Sequence, residues 1–210
     1  MHVVYSDAMV APAQGTSPSA AKPAAVVEAW RREWPTLEFR PPVPVTRDDL
    51  LRAHSRRYVD AVLSLTEVNG FGTFSPEVNA SLPYTSGALL TAARWAMVGG
   101  TTVAAPVSGF HHAGYDSGGG YCTFNGLMVA ALALQVETAG LRVGILDYDY
   151  HYGDGTDDIL AALKCRNIVH ITAGKHFYMP KHAESFLAQI RNDVVAMSAC
   201  DIVLYESPRF

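Results

Sequence analysis

Short apolar runs alternate along the chain with longer stretches that are apolar at helical spacing. Residues 2–5 predict a strand, 18–23 a loop, and 24–34 a helix; the Pro-rich piece 41–44 reads as a connection. The stretch TRDDLLRAHSRRYVDAVLSL opens like a helix, because Thr46 can cap its start and Asp49, three residues on, completes a capping-box pattern. Residues 86–98 continue helical spacing and stop at Gly99-Gly100, 102–105 form a short strand, and 106–121 a loop rich in Gly and His. Residues 124–138 are almost wholly apolar, which predicts a helix buried on most sides, ended by Gly140. A buried strand over 143–146 follows, then a helix over 155–163, a strand over 167–172, a helix over 182–195 and a last strand over 201–205.

Strands separated by helices of this length imply βαβ units and a mostly parallel sheet covered on both faces, hence an α/β fold. No internal repeat and no Gly-, Ser- or Pro-rich linker divides the chain, so residues 1–210 read as one domain, long enough for a substantial core.

Composition narrows the function classes. Hydrophobic residues make up 49% and charged residues 17%, as in globular proteins. A net charge of -4, with Lys and Arg scattered, gives no electrostatic reason to expect nucleic acid or an anionic membrane as partner. No apolar run reaches the roughly 20 residues of a membrane span, and the start of the chain lacks the basic and apolar regions of a signal peptide. Three widely spaced cysteines, Cys122, Cys165 and Cys200, read as free thiols in a reducing, cytoplasmic setting.

Two segments carry chemistry. The first is LDYDYHYGDGTDD, residues 146–158. Leu146 closes a strand, and ligands of a parallel sheet gather at the carboxyl ends of its strands. Asp147, Asp149 and His151 follow at two-residue spacing, so an extended chain points all three the same way. Two carboxylates and an imidazole suit a divalent metal, zinc among them. Gly153 and Gly155 permit a sharp turn, and Asp154 is placed to hold a histidine ring. A calcium loop fits poorly: counted from Asp147, Tyr152 stands where the turn Gly belongs and Asp158 where the bidentate Glu belongs. A lone D-x-D is more often a solvated turn; the strand context and the adjoining His favour metal.

The second segment is VSGFHHAGYDSGGGYCTFNG, residues 107–126. Its adjacent His111 and His112 could act as general base and general acid beside a metal-bound water, with Asp147 and Asp154 as candidate orienters. Gly118, Gly119 and Gly120 allow close backbone approach to a ligand. Both segments follow strands of one parallel sheet and should open on the same edge.

Taken together, His111-His112-Ala113, then Gly119-Gly120-Tyr121-Cys122-Thr123-Phe124-Asn125, then Leu146 to Thr156 resemble the histone deacetylase / acetylpolyamine amidohydrolase family. His54 and Tyr58 resemble that family's upstream H-x-x-x-Y segment, and the strand ending at Thr172 its next strand. The resemblance implies a three-layer arginase/deacetylase-like fold and zinc-dependent hydrolysis of an acetyl amide, on acetyl-lysine or a small acetylated amine such as a polyamine. It implies that Asp149 and His151 ligate zinc and that Asp147 and Asp154 orient the histidines. His112 is then the general base and proton shuttle, and His111 a more electrostatic partner. The backbone around Asp147, Asp149 and His151, with Thr172, corresponds to a structural monovalent-cation (potassium) site. Phe124 and Asn125 correspond to a segment under the pocket, and Gly120 and Tyr121 to its wall.

The chain also departs from the family. The third zinc ligand should be an aspartate just after the strand at 201–205, where Glu206-Ser207-Pro208-Arg209-Phe210 stands instead. Asp201 lies at the wrong end of that strand, and Glu206 is a poor substitute because a zinc ligand must meet a tight geometry. The family's late Gly-rich segment with its carbonyl-binding Tyr has no counterpart. The domain is therefore expected to be C-terminally incomplete, with apolar surface exposed on the last helix and strand, weak zinc affinity and doubtful activity. A ligand- or partner-binding module of the same fold, or a site completed by a partner subunit, are the alternatives. Val107-Ser108-Gly109-Phe110 replaces a frequent Arg-Pro-Pro-Gly, and Tyr152 a frequent second His. An arginase-type two-manganese site is disfavoured, because Gly153 stands where an Asp-x-His-x-Asp run needs its last Asp.

Overall fold

The structure is a computed structural model that describes residues 2–15, 17–177 and 179–206. Among them are two three-stranded sheets, both wholly parallel. The first has the order β2-β1-β3 and joins β1 (His2–Val4), β2 (Glu38–Arg40) and β3 (Val103–Ala104). The second has the order β5-β4-β6 and joins β4 (Val143–Asp147), β5 (Ile168–Thr172) and β6 (Ile202–Glu206). Helices connect them: α1 (Lys22–Glu33), α2 (Arg47–Leu50), α3 (Arg56–Leu63), α4 (Pro76–Gly99), α5 (Gly126–Glu137), α6 (Asp154–Leu163) and α7 (Ala183–Met197).

The expected elements are present, with instructive differences. The helix expected from Thr46 onward is two. Its capping box forms: Thr46 Oγ1 accepts from the Asp49 N–H at 3.2 Å, and Asp49 Oδ2 accepts from the Thr46 N–H at 2.9 Å. The helix nevertheless stops at Leu50, and Ser55 caps a new one by accepting from the Tyr58 N–H. Between them His54 is buried and bonded to other segments, and the Ser55 N–H donates to the Tyr115 carbonyl at 2.8 Å. Those long-range bonds replace the helical ones.

α4 begins ten residues before the expected start, at Pro76, with Ser75 accepting from the Val78 N–H. Pro83 has no N–H to donate within this helix. The helix carries it, and its carbonyl accepts from the Val45 N–H at 3.0 Å. β2 is too short, at three residues, to stand out from the Pro-rich connection that follows.

β4 is the centre of the second sheet, buried along its whole length and paired on both sides. Its apolar run follows from that double coverage. α5 buries Leu127, Met128, Val129, Ala130 and Ala131, as its unbroken apolar sequence requires. α4 packs along α5 and also touches β1, β3 and β6, so it ties the two sheets together. α1 and α4 supply Val27, Ala88 and Ala92 to a smaller core on Val3 and Val4.

Among the described residues, β3 pairs only with β1 and β6 only with β4. Both line one cleft of about 1250 Å³. The exposed apolar surface expected on the last helix and strand is there: Leu187, Val194 and Val195 on α7, and Val203 and Tyr205 on β6. No helix among the described residues is long and apolar enough to cross a membrane.

Gly87 lets α4 lie against the backbone of residues 43–45, where any Cβ would collide with the Val43 carbonyl. Gly to Ala ordinarily favours a helix by up to about 1 kcal/mol. Gly87→Ala is instead expected to destabilise the chain by about 1–3 kcal/mol, the cost of overpacking; urea unfolding reads the sign directly.

Candidate active site

The site lies where β4 ends. Asp147 is its last residue, and its in-register neighbours are Thr172 on β5 and Glu206 on β6. Beyond Asp147 the backbone leaves the strand, contrary to the extended run that the two-residue spacing suggests. Asp147 Oδ1 accepts from the Asp149 N–H at 2.9 Å, and Asp149 Oδ1 accepts from the His151 N–H at 2.8 Å. Two successive Asx-type turns therefore gather the D-x-D-x-H side chains, through local carboxylate–amide bonds rather than strand alternation. The His151 Nδ1 comes to 3.0 Å from Asp149 Oδ1. The His151 side chain is 61% exposed, whereas Asp149 is buried.

The histidine pair arrives from the loop after β3. His111 is buried, and its Nδ1 donates to Asp147 Oδ2 at 2.9 Å; Asp147 itself is 0% exposed. His112 is half-buried, and its Nδ1 pairs with Asp154 Oδ1 at 2.7 Å. Each ring thus turns its Nε2 away from the carboxylate that holds it. The two rings are 4.2 Å apart between centroids, and His112 lies 5.8 Å from the His151 ring.

Asn125 and His54 lock this loop in place. The Asn125 Oδ1 accepts from the Met128 N–H and caps α5, while its Nδ2 donates to the Ala113 carbonyl and to Thr156 Oγ1. The Asn125 N–H donates to His54 Nε2 at 2.9 Å, and His54 Nδ1 donates to the Gly114 carbonyl at 2.8 Å. The Thr156 N–H donates to the His111 carbonyl at 3.1 Å. Gly155 sits so close to the backbone of His112 and Ala113 that no side chain fits between them. Gly120, at φ +56, similarly presses on the His112 ring. Gly120 and Tyr121 line the cleft together with His111, His112, Asp149 and His151.

Electrostatics divides the histidines. Burial works against charge on His111, but the Asp147 hydrogen bond and the negative charges of Glu206, Asp147 and Asp149 outweigh it and raise its pKa. Burial pushes the Glu206 carboxyl up to about 7. Burial likewise drives His54 down to about 4, only partly opposed by its bond to Gly114.

The outer pair offers two of the donors that a zinc site needs. Two atoms bonded to one tetrahedral ion at about 2.0–2.2 Å stand roughly 3.3 Å apart, close to the 3.0 Å between His151 Nδ1 and Asp149 Oδ1. Glu206 does not join that pair in a three-residue group among the described residues; it lies with His111 and Asp147. Asp201 is at the far end of β6, accepting from the Arg142 N–H. Residues 207–210, the rest of the expected ligand loop, lie outside the described residues. Thr172 Oγ1 accepts from the Gly153 N–H at 3.0 Å, beside the expected monovalent-cation position.

One polar cluster escapes the sequence reading. Asp157 on α6 pairs with His170 Nδ1 at 2.7 Å, with Lys175 Nζ at 3.1 Å, and with the Tyr152 hydroxyl. Tyr152 thereby ties the loop after His151 to α6 and β5. Only the folded chain brings these residues together; their spacing signals nothing.

A model of the histone deacetylase domain matches residues 18–187. Acetylpolyamine amidohydrolase 2 of Pseudomonas aeruginosa is 57% identical over 49 residues, 23% of this chain and 14% of that protein. The histone deacetylase-like amidohydrolase of the same organism is 30% identical over 132 residues, 59% of this chain and 34% of that protein. The chain thus spans about a third or less of these relatives' lengths. The crystal structure of the HDA15 HD domain superposes with a TM-score of 0.76 at 19% identity, covering 99% of this chain and 73% of that one. At that identity the likeness is one of fold.

The His54 shift carries a pH dependence. Its folded pKa of about 4 lies below the ordinary 6.5, so unfolding takes up a proton between those values. Its contribution is complete above pH 6.5 and is lost as pH falls toward 4, by about 3 kcal/mol in all. Denaturant unfolding across that range should be less pH-dependent in His54→Asn than in the parent chain. Equal slopes would assign the acid loss to other groups.

Proposed function

The chain belongs to the histone deacetylase domain family, and from that premise we propose that it carries the loop machinery of a zinc-dependent hydrolase acting on an acetyl amide. The observation that carries this reading is the convergence of two carboxylate-held imidazoles, His111–Asp147 and His112–Asp154, on the Asp149–His151 donor pair at one cleft.

Asp149 and His151 would hold the ion. Bound there, zinc supplies Lewis-acid polarisation of the acetyl carbonyl and a lowered pKa for water. The chain's own residues do the rest. Asp154 holds the proton of His112 on Nδ1, which leaves Nε2 free to take a proton from the attacking water. His112 then returns that proton to the leaving amine. His111 is buried and held by Asp147, which raises its pKa, and its positive charge stabilises negative charge growing on the carbonyl oxygen. Gly120 and Tyr121 form the wall against which the acyl group rests. A monovalent cation, potassium by the family resemblance, belongs with the backbone around Asp147, Asp149 and His151 near Thr172.

The similarity to acetylpolyamine amidohydrolases favours a small acetylated amine over a protein side chain as substrate. The net charge of -4 suits a cationic substrate of that kind. A non-catalytic, ligand- or partner-binding role is the second reading. It is favoured by the outer pair's having two donors rather than three among the described residues.

The test is hydrolysis of N-acetylputrescine and of an acetyl-lysine peptide by the zinc-loaded chain, with amine release measured. His112→Ala is expected to lower kcat by about 10²–10⁴-fold, the usual worth of a positioned acid–base group, with zinc affinity little changed. Turnover by the parent chain that is unchanged in His112→Ala would overturn the catalytic assignment. Zinc binding without turnover would favour the binding role.

A further inference from the structure

We propose that Asp157 is a positioning residue for His151, acting from outside the cleft through the Tyr152 side chain. The inference rests on the reading of Asp149 and His151 as zinc donors. None of Tyr152, Asp157, His170 and Lys175 lines the cleft. The His151 side chain is 61% exposed, and its Nδ1 faces Asp149 Oδ1. So exposed a ring takes its place from the backbone beneath it. That backbone is braced on both sides of Tyr152. Gly174, in the turn Ala173–Lys175 after β5, lies so close to the His151 carbonyl that a Cβ there would collide with it. The Gly153 N–H donates to Thr172 Oγ1 at 3.0 Å.

The Tyr152 side chain is the third brace, and Asp157 is what holds it. Asp157 Oδ2 accepts from the Tyr152 hydroxyl, and from Lys175 Nζ at 3.1 Å. Asp157 Oδ1 accepts from His170 Nδ1 at 2.7 Å. Lys175 Nζ also donates to the Tyr152 hydroxyl at 3.1 Å and stands over the Tyr152 ring, 4.7 Å from its centroid. One carboxylate thus gathers donors from the loop, from β5 and from the turn that follows it. A carboxylate has lone pairs enough for all three, and its charge strengthens each bond. Burial works against that charge, but the hydrogen bonds from Tyr152, His170 and Lys175 outweigh it and bring the Asp157 pKa down to about 2.

His170 makes the arrangement rigid. Its side chain is 2% exposed, and its Nε2 is buried without a hydrogen-bond partner among the described residues. The bond to Asp157 is therefore the polar anchor of that ring, and it fixes the carboxylate in turn. Without Asp157, the Tyr152 hydroxyl, the Lys175 ammonium and the His170 ring lose their common acceptor. Tyr152 adjoins His151, so any backbone shift at Tyr152 carries the imidazole with it. A metal donor tolerates displacement of only about 0.5 Å, and partners that orient a donor from behind ordinarily contribute about 10–100-fold to metal affinity.

The test compares the 210-residue parent chain with Asp157→Ala, with Tyr152→Phe and with the double variant. Tyr152→Phe keeps the ring over Lys175 and removes only the hydroxyl. Amide hydrogen exchange is read by NMR on the metal-free chains, and zinc affinity by calorimetric titration. In Asp157→Ala the His151 and Gly153 amides should exchange about ten-fold faster, as expected for loss of a charge-assisted hydrogen bond, while the amides of β4 keep their parental rates. Zinc should bind about 10–100-fold more weakly. Tyr152→Phe should change both readouts in the same direction, and the double variant should be no worse than Asp157→Ala, because both break one link. Parental exchange at His151 and Gly153 in Asp157→Ala would overturn the proposal. Equal acceleration of the β4 amides would overturn it too, since that marks a general loss of stability. So would an unchanged zinc affinity in Asp157→Ala when His151→Ala abolishes binding by the parent. If His151→Ala leaves zinc binding unaltered, or the parent binds no zinc, the functional reading above fails; exchange in the metal-free chains then upholds or overturns the positioning role by itself.

Discussion

The hydrogen bonds of Asn125 hold the site together. One side chain caps α5, binds the carbonyl of Ala113 just after the histidine pair, and reaches Thr156 in the first turn of α6. Its backbone N–H is taken by His54, whose other nitrogen holds Gly114. Four segments distant in sequence thus share one buried polar network. Such a network rigidifies a site only when every member is satisfied, and here both the Asn125 amide and the His54 ring are. The tautomer of His54 follows: Nδ1 must donate to a carbonyl, so Nε2 must accept.

The C-terminal edge of the second sheet then sets the charge. Parallel register aligns Thr172, Asp147 and Glu206 across three strands. Asp147 spends one oxygen on its own loop and the other on His111. The same carboxylate that folds the D-x-D-x-H loop therefore orients the buried histidine. Asp154 can serve His112 because α6 starts against the histidine loop, at the contact that Gly155 leaves open. A larger residue at Gly155 would move the helix and its carboxylate together.

Much of this was legible in the residues. Apolar runs with helical spacing between them were enough for an α/β fold with parallel strands, because a doubly covered strand must be apolar throughout. The histidine pair and the D-x-D-x-H run were legible because few core roles call for such residues beside a strand end. The misses share one cause. The helix opened by Thr46 stops at Leu50 because long-range bonds from His54 and Ser55 outcompete continuation, and α4 runs through Pro83 despite its missing N–H. Local propensity could report neither.

What the chain determined by itself is the inventory: which side chains carry chemistry, and that they lie near strand ends. Those are consequences of residue type and period, which are local properties. What only the tertiary structure decided is who meets whom. Asx-type turns rather than strand alternation gather Asp149 and His151. Glu206 falls beside His111 and Asp147 rather than beside the outer donors, because register across β4 and β6 is a property of two strands at once. Tyr152, Asp157, His170 and Lys175 likewise become one cluster only when α6 packs on β5. Distances between segments depend on packing, and no spacing along a single chain encodes them.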